Sequence, residues 1–401
     1  MTDSFSSGPA LRIGVAGLGR AFTLMLPTMR FDARVRLVAA ADPSAAARQQ
    51  FATDFGAPAY DSVEAMCADP QVQLVYVATP HQWHCQHVCA AAAAGKHVLV
   101  EKPMAISLDE CTAMVEACES AGVQLIVGHS HSFDAPVLRL RALVRGGRYG
   151  RVRMVTALNY TDFLYRPRRP EELDTGSGGG VVFSQGAHQI DIVRLLAGGM
   201  VRSVRAHTGQ WDPGRPTEGA YSALLGFEGG AFASITYSGY GHFDSDVLMD
   251  NIGEMGQAKD PADYGAARRR LLTAASADEE AALKAARNYG GRLYTPASGP
   301  PTGLAHQHFG HLIVSCEGAD LRPTSTGIEV FADQARHLEP LAPPGIPRSE
   351  VIDELVDAVL RGKPPLHSGA WARATTETCL AILESARTDA ECRLQHQVAD
   401  T

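Results

Sequence analysis

The chain has 401 residues, of which 45% are hydrophobic and 20% are charged. This composition is typical of folded globular proteins, and the length predicts two or three domains. A small disulfide scaffold, a fibre and a largely disordered chain are therefore excluded. The net charge of −8 argues against a nucleic-acid partner, although a small anionic substrate needs only local positive charge.

The cysteines and the amino-terminal residues favour a cytoplasmic protein. The eight cysteines form no Cys-x-x-Cys pair, and we expect reduced thiols. Residues 1–10 lack the basic and apolar regions of a signal peptide, so we interpret them as a flexible tail. No apolar run reaches the roughly 18 residues that a membrane-spanning helix needs, and we expect no membrane partner.

Residues 11–129 alternate short apolar runs with helical patterns, which predicts a parallel sheet covered by helices. Ser107, followed by Glu110 three residues later, predicts a helix over residues 107–121. The predicted strands are residues 11–17, 35–42, 74–80, 97–103 and 123–129.

Residues 130–401 change to longer runs that alternate polar and apolar residues, which predicts a second domain of the α+β class with an open antiparallel sheet. Gly229 and Gly230 are typical of a two-residue hairpin turn. Residues 249–300 are polar and partly helical, and we interpret them as an insertion. The predicted strands are residues 151–160, 201–209, 220–228, 231–240 and 311–318, and the predicted helices are residues 186–197, 349–361 and 370–388.

A glycine-rich turn follows the first predicted strand and indicates a dinucleotide-binding Rossmann domain over residues 11–129. Gly17 and Gly19 allow a tight turn and close approach of backbone N–H groups to a pyrophosphate. Asp42 ends the second strand, where a carboxylate binds the adenosine ribose. Because no arginine occupies residues 43–47, we predict NAD rather than NADP as the cofactor. The predicted contacts from this region are Gly17, Gly19, Arg20, Ala21, Phe22 and Asp42.

The glycine turn and Asp42 also have a purely structural interpretation. Phe22 stands where the third glycine of the fingerprint would fall, and two glycines alone are common in strand-to-helix turns. Asp42 precedes Pro43 and Ser44 and could simply cap a helix. The strand before the turn, the helix after it and the acid together favour the dinucleotide site.

Lys102 is the strongest candidate for the chemistry. It follows the fourth predicted strand, and ligands of an open α/β sheet bind at the carboxyl ends of strands. Arginine outnumbers lysine 31 to 5 in this chain, so positive charge alone explains a lysine poorly. Unlike arginine, lysine can lose its proton when it is desolvated beside another positive charge, as a general base must. The alternative is a solvated lysine at a strand end.

Two motifs carry a family resemblance. Residues 95–103, GKHVLVEKP, and residues 79–84, TPHQWH, resemble the Gfo/Idh/MocA oxidoreductase family. The resemblance implies a Rossmann domain followed by a domain built on an open sheet. It places Lys102 beside the nicotinamide, in proton transfer or substrate orientation. It also assigns Thr79, Pro80, His84 and Glu101 to the cofactor pocket.

A second signature of that family is matched only in part. Residues 178–191, GGGVVFSQGAHQID, resemble the turn and helix that carry an aspartate and, four residues later, a histidine. The histidine is His188, but Ser184 occupies the position of the aspartate. The resemblance thus leaves Lys102 and His188 as the catalytic pair. Asp191 could orient the imidazole of His188 or could be a structural helix residue.

Longer strings are similar to one branch of the family, the phthalate 4,5-cis-dihydrodiol dehydrogenases and the related chlorobenzoate dihydrodiol dehydrogenase. This similarity implies NAD-dependent oxidation of a carboxylated aromatic cis-dihydrodiol to the catechol. We expect arginines to bind the carboxylate, and copies of the chain to associate through the open sheet. The strings include LGRAFTLMLPT, GHSHSFD and ALNYTDFLYRPRRPEEL. The predicted substrate-binding residues are His129, His131, Arg166, Arg168 and Arg169.

Three alternatives remain open at this point. A sugar or inositol dehydrogenase of the same family is disfavoured by Ser184, and a non-catalytic NAD-binding sensor by Lys102 and His188. A metal site is suggested by two groups of histidines, but neither has a cysteine or an acid at the usual spacing, so we expect no metal. The two groups are His81, His84 and His87, and His306, His308 and His311.

Overall fold

The computed structural model describes residues 10–296, 299 and 301–400. The predicted tail lies outside the described residues except for Ala10. In the described part of the chain, no helix is both long and apolar enough to cross a membrane.

The first domain contains a six-stranded parallel sheet with the strand order β3-β2-β1-β4-β5-β6. Its strands are β1 Leu11–Ala16, β2 Val35–Ala41, β3 Ala59–Tyr60, β4 Leu74–Val77, β5 His97–Val100 and β6 Leu125–Val127. The predicted runs match five of these strands, and only the two-residue β3 was missed. The central strands are buried on both faces, as expected where helices cover both sides.

Helices connect these strands, and their termini follow local sequence signals. They are α1 Arg20–Phe31, α2 Ala45–Phe55, α3 Val63–Cys67, α4 His84–Ala93 and α5 Leu108–Ser120. The predicted capping box is confirmed: Ser107 accepts a hydrogen bond from the Glu110 N–H (3.3 Å) and donates one to the Glu110 carboxylate (3.0 Å).

The second domain contains a nine-stranded sheet with the strand order β14-β13-β12-β11-β7-β10-β9-β8-β15. Its strands are β7 Val152–Tyr160, β8 Val201–Gly209, β9 Ala220–Phe227, β10 Phe232–Ser238, β11 His311–Cys316, β12 Ala319–Thr324, β13 Gly327–Ala332, β14 Arg336–Pro340 and β15 Cys392–Arg393. The α+β fold class is confirmed, with one difference. The sheet is mixed because its neighbouring strands β7 and β10 run parallel. The segment between them contains α7, β8 and β9, which is long enough to bring the chain back to the same end of the sheet.

A hairpin joins β9 and β10 as predicted, but its loop has three residues, 228–230, rather than the predicted two, and of the two glycines only Gly230 has a positive φ. The Phe227 N–H donates to the Ala231 carbonyl (2.9 Å), and Gly230 has a φ of 82°. Glycine reaches this left-handed conformation without the steric cost that a side chain would impose.

One face of the mixed sheet packs against helices. The helices of this domain and of the return segment are α6 Ala135–Arg145, α7 Ala187–Ala197, α8 Ala266–Leu271, α9 Ala277–Ala285, α10 Ser349–Arg361 and α11 Gly369–Thr388. Helices α6, α7 and α11 share a hydrophobic core with the sheet. The opposite face is open and leaves large apolar side chains exposed, among them Leu224, Phe232, Phe331 and Leu338.

Helix α10 returns to the first domain. Its buried face, Val351, Ile352 and Leu355, belongs to the same hydrophobic cluster as strand β1. Arg34 also forms an ion pair with Asp353 of this helix. The division at residue 130 stays a prediction, and the structure adds that residues 349–361 stabilise the first domain by burying apolar surface on it.

Candidate active site

A cleft lies between the two domains, at the carboxyl ends of the parallel strands. Strands β1 and β4 are neighbours, and the connections that follow them lead to opposite sides of the sheet, from β1 to β2 and from β4 to β5. Such a switch point opens a crevice in α/β sheets. The cleft encloses about 2120 Å³, including space open to solvent at its mouth.

The glycine turn after β1 has the backbone geometry that a dinucleotide site needs. Gly17 has a φ of 91°, and a Cβ there would lie 2.9 Å from the Ala78 carbonyl oxygen. A Cβ on Gly19 would meet no atom within 4 Å, so space is open above this residue. Helix α1 begins at Arg20, and Gly19, Arg20 and Ala21 line the cleft. These residues fit the pyrophosphate of NAD.

Phe22 does not reach the cleft. Its side chain is fully buried and packs against Phe51 and Tyr289. Its assignment to the cofactor pocket is therefore corrected: where the fingerprint has its third glycine, this chain has a core aromatic residue.

Asp42 lies at the end of β2, beside the glycine turn. Its carboxylate accepts hydrogen bonds from the backbone N–H groups of Leu18 and Ser44, both at 2.8 Å. Arg48, which follows the arginine-free residues 43–47, donates hydrogen bonds to the backbone carbonyls of Asp42 (2.8 Å) and Pro43 (3.0 Å). The guanidinium is thus partly engaged by backbone oxygens.

His84 is structural at the floor of the cleft. Its Nε2 lies 2.9 Å from the Thr79 carbonyl and its Nδ1 3.0 Å from the Pro103 carbonyl. Burial lowers the pKa of His84 to about 4, while the carbonyls beside both ring nitrogens oppose the shift. His84 ties the loop after β4, which contains Thr79 and Pro80, to the loop that carries Lys102.

Lys102 faces the second domain. Its Nζ donates to the Ser184 carbonyl at 2.8 Å. Ser184 lies in a widened, π-helical turn, Val182–Gly186, just before α7. The residue that replaces the family's aspartate therefore holds the lysine through its backbone rather than its side chain.

The surroundings of Lys102 favour loss of its proton. Burial lowers the pKa of Lys102, and Arg168 and Arg348 lower it further, while Glu101 and Glu254 oppose the shift. Glu101 accepts a hydrogen bond from the Tyr76 hydroxyl at 2.6 Å, and burial raises the pKa of its carboxyl. A lysine with a lowered pKa is suited to general-base chemistry near neutral pH.

His188 stands on α7 beside the same cleft. Its Nδ1 accepts a hydrogen bond from the backbone N–H of His131 at 3.3 Å. The pKa of His188 lies well below its ordinary value because of burial and the nearby Lys102. In the neutral ring the proton must then be on Nε2, which makes His188 a hydrogen-bond donor there.

Asp191 does not orient His188. Its carboxylate accepts hydrogen bonds from Ser132, from the indole of Trp371 and from Thr375. The prediction that Asp191 orients the imidazole of His188 is therefore wrong, and Asp191 is a structural residue of α7.

His131 is clamped between two carboxylates. Its Nδ1 lies 2.7 Å from Asp134 and its Nε2 3.2 Å from Glu254. Burial alone would lower the pKa of His131, but the two carboxylates raise it to about 9. Because both ring nitrogens are engaged, His131 has no free nitrogen for a substrate. His129 bonds Asp134 through Nε2 alone (3.3 Å), and burial lowers its pKa to about 3.

The three arginines of the 166–169 loop line the cleft but differ in their partners. Arg169 lies 3.1 Å from Glu171 and 3.5 Å from Glu172. Arg166 is exposed and donates to Asp162 at 3.1 Å.

Arg168 is the least exposed of the three arginines, and its Nη1 lies 3.9 Å from Glu172. Its Nη2 donates to the Phe163 carbonyl at 2.7 Å, and the guanidinium stacks 3.5 Å above the Phe163 ring centroid. Its buried Nε has no hydrogen-bond partner among the described residues, and neither has the Nε of Arg169, which lies within ion-pair distance of Glu171 and Glu172. A buried N–H group without an acceptor destabilises the protein unless a ligand accepts its hydrogen bond.

The cleft is positively charged although the chain is acidic. Among the described residues that line it, eight are arginine or lysine and three are glutamate. Such local charge favours an anionic cofactor or substrate. The cations are Arg20, Lys102, Arg166, Arg168, Arg169, Lys284, Arg287 and Arg348, and the anions are Glu101, Glu172 and Glu254.

Five of the six histidines at metal-like spacing form side-chain hydrogen bonds within the fold, and the buried Nδ1 of His311 has no partner among the described residues. His306 contacts the Ala342 carbonyl (2.9 Å), His308 the Ile252 carbonyl (2.8 Å) and His87 the Thr79 hydroxyl (3.0 Å). Nowhere in the described ranges do three His, Cys, Asp or Glu side chains form a group that could hold a metal ion.

Sequence reasoning missed Glu254, Arg348 and the cleft-lining residues that follow α9. Arg348 is 8% exposed, and its guanidinium donates hydrogen bonds to Gln307 (3.3 Å) and to the sulfur of Met255 (3.1 Å). These residues lie outside recognisable motifs, and only the fold brings them to the cleft. For Glu254 and the residues after α9, the one sequence feature that could have indicated them was the polar, partly helical pattern of residues 249–300.

Comparisons with known proteins agree with this geometry. Residues 11–129 match the oxidoreductase family model with an NAD-binding Rossmann fold, and residues 137–259 match the GFO/IDH/MocA C-terminal domain. The chain is 50% identical over 378 residues to 1-carboxy-3-chloro-3,4-dihydroxycyclohexa-1,5-diene dehydrogenase of Comamonas testosteroni, covering 94% of this chain and 95% of that protein.

Two further comparisons show the same relationship at greater distance. The chain is 30% identical over 258 residues to trans-1,2-dihydrobenzene-1,2-diol dehydrogenase of Sus scrofa, covering 63% of this chain and 75% of the relative. A crystal structure from Bordetella bronchiseptica RB50, named as a dehydrogenase, superposes with a TM-score of 0.89 at 43% identity, covering 96% of this chain and 100% of the other. The chain belongs to the Gfo/Idh/MocA family of oxidoreductases and uses NAD as its cofactor.

Proposed function

We propose that the protein oxidises a carboxylated aromatic cis-dihydrodiol to the corresponding catechol, with a phthalate 4,5-dihydrodiol or a chlorobenzoate dihydrodiol as the substrate type. The observation that carries the proposal is a lysine of lowered pKa in a cleft where cations outnumber anions and Arg168 keeps a free donor. The carboxylated diene diol named for the Comamonas testosteroni relative supports the substrate class.

Each residue has a distinct part in the proposed reaction. Bound NAD supplies the acceptor for the hydride that leaves the carbinol carbon. Lys102, as the neutral amine, takes the hydroxyl proton, so that the carbon becomes a carbonyl. His188 donates its Nε2–H to that oxygen. When the second carbinol carbon also carries hydrogen, as in a phthalate 4,5-dihydrodiol, that carbon then loses its proton while the carbonyl oxygen gains one, and the aromatic catechol that results favours the forward direction.

Substrate choice is tested by following NADH absorbance with a panel of carboxylated cis-dihydrodiols of the phthalate and chlorobenzoate types, inositols and aldoses. We expect turnover with the dihydrodiols only. Turnover with inositols or aldoses alone would instead indicate the sugar dehydrogenase, and no turnover with any compound would favour the non-catalytic sensor.

Replacing Asp42 with alanine is expected to narrow the preference for NAD over NADP. The Asp42 carboxylate would bind the ribose hydroxyls and repel a 2′-phosphate. Titrating the wild type and Asp42→Ala with both cofactors measures the two affinities. If wild type bound NADP more tightly than NAD, this role for Asp42 would be refuted.

Replacing His188 with alanine is expected to lower kcat about 10-fold, the value of one neutral hydrogen bond, whereas His188→Gln should keep most of the activity. The glutamine amide can donate from nearly the position of Nε2. The pH profile of kcat/KM should rise through the ionisation of Lys102 in all three proteins. A profile that loses an ionisation in His188→Gln would show that His188 acts as a base.

We also propose that copies of this chain associate through the open face of the mixed sheet. Exposed apolar residues on that face, including Leu224 and Phe232, would be buried by a second sheet. The molar mass in solution, measured by light scattering, tests this: the mass of a single chain at all concentrations would exclude it.

A further inference from the structure

Residues 266–294, the cover segment, lie across the cleft and contact both domains. The segment contains α8, α9 and the turn after α9. It falls in the part of the chain that the sequence leaves unexplained, and the proposed reaction uses none of it. Its contacts show which part of the cleft it covers.

The first half of the cover segment is attached to the second domain. Arg268 donates to the carbonyls of Tyr240 and Gly241, both at 2.8 Å. Glu280 forms an ion pair with Arg215 at 2.8 Å, and both side chains are nearly buried. Lys284 pairs with Glu172 beside the arginine loop. Partly buried ion pairs of this kind stabilise the position of a segment more than exposed ion pairs do.

The second half is attached to the first domain through Tyr289. The ring of Tyr289 is 2% exposed and lies edge-on against Phe22, with 5.2 Å between ring centroids. Its hydroxyl donates to Asp54 at 2.5 Å. Phe22 is the residue that replaces the third fingerprint glycine, so the departure from the fingerprint provides the surface on which the cover segment rests.

Arg287 lies between these two attachments and faces the glycine turn. Arg287 and Asn288 line the same cleft as Gly19 and Arg20. The Arg287 guanidinium has no hydrogen bond or ion pair to any residue that the structure describes. The Arg20 guanidinium donates only to the Thr23 hydroxyl, at 3.3 Å.

The positive charge of Arg287 disfavours the charge of Arg20, and an anion bound between the two would relieve this. Desolvation lowers the pKa of Arg20, and the positive charges of Arg287 and Arg348 lower it further. Desolvation and the positive charge of Arg270 lower the pKa of Arg287. Like charges that converge on one groove are relieved by a bound anion, and guanidinium groups suit phosphate oxygens in particular.

We propose that Arg287, together with Arg20, binds the pyrophosphate of NAD from the side opposite the glycine turn, so that the cover segment closes over the bound cofactor. The proposal rests on the use of NAD and is independent of which diol is oxidised. It gives the insertion a role in holding the cofactor.

The test compares ligands that share the pyrophosphate, using the full-length chain freed of cofactor. For Arg287→Gln, calorimetric titration with ADP-ribose should show affinity reduced about 10-fold or more, the loss expected for one charge-assisted hydrogen bond. NAD affinity should fall by a similar factor. Adenosine, which has no phosphate, should bind the variant and the wild type equally.

Arg292→Gln is the matched control, because Arg292 is an exposed arginine of the same segment that does not line the cleft. It should bind ADP-ribose as the wild type does. Unchanged ADP-ribose affinity in Arg287→Gln would overturn the proposal. So would an equal loss in Arg292→Gln, since that would indicate a general charge effect.

A second variant tests closure. Tyr289→Leu removes both the hydroxyl bond to Asp54 and the ring contact with Phe22. Stopped-flow fluorescence should then show faster NADH release, because the cover segment is held less firmly on the first domain. An unchanged release rate would overturn the closing role of the segment.

Discussion

Replacing Lys102 with alanine is expected to lower turnover at least about 100-fold while leaving NAD affinity nearly unchanged. Burial and the nearby Arg168 and Arg348 all disfavour the charge of Lys102. Burial also lowers the pKa of Lys284, to about 8, but that amine is paired with Glu172. Lys102 lies at the end of β5 rather than at the glycine turn, so its loss should affect the chemical step more than cofactor binding. Steady-state kinetics and an NAD titration measure the two effects.

The pH dependence gives a separate test of the same residue. Because the neutral amine is the base, kcat/KM for diol oxidation should rise with pH through the lowered pKa of Lys102 and then level off. Lys102→Arg should not restore activity, because arginine keeps its proton. Lys363→Ala, at an exposed lysine paired with Asp357, is the control and should behave as the wild type. Near-normal turnover in Lys102→Ala would contradict the mechanism.

Replacing Arg168 with glutamine is expected to reduce the preference for a carboxylated diol over its decarboxylated analogue by roughly 10- to 150-fold. A charge-assisted hydrogen bond contributes about 1.5 to 3 kcal/mol, and about 1.4 kcal/mol corresponds to a factor of ten. Arg168 has an unpartnered buried Nε and affects the pKa of Lys102, so a carboxylate bound to it would place the ring near the base. The measurement is the ratio of kcat/KM for the two diols.

The neighbouring arginines serve as controls for Arg168. Arg169→Gln should keep the wild-type ratio, because Glu171 and Glu172 already neutralise that guanidinium. Arg166→Gln should have a small effect, since Arg166 is exposed and paired with Asp162. If all three variants keep the wild-type ratio, the carboxylate site must lie elsewhere, and Arg348 is then the next cation to test.

The sequence by itself was sufficient for the parts of this protein that depend on local patterns. Apolar runs of strand length predicted five of the six parallel strands, and Ser107 with Glu110 predicted the start of α5. The positions of Lys102 and of the glycine turn followed from the same patterns, because strand ends in a parallel sheet meet at one edge. Such features need only neighbouring residues and the regular geometry of a strand or helix.

Only the tertiary structure decided which side chains meet across the cleft. The parallel pairing of β7 with β10, the return of α10 to the first domain and the clamp on His131 all join residues far apart in the chain. It also distinguished Arg168 from Arg169, which look equivalent in sequence: the Arg168 side chain is 11% exposed and stacks on Phe163, whereas that of Arg169 is 35% exposed and lies beside Glu171. Spacing along the chain carries no information about such contacts, since they depend on how whole elements pack.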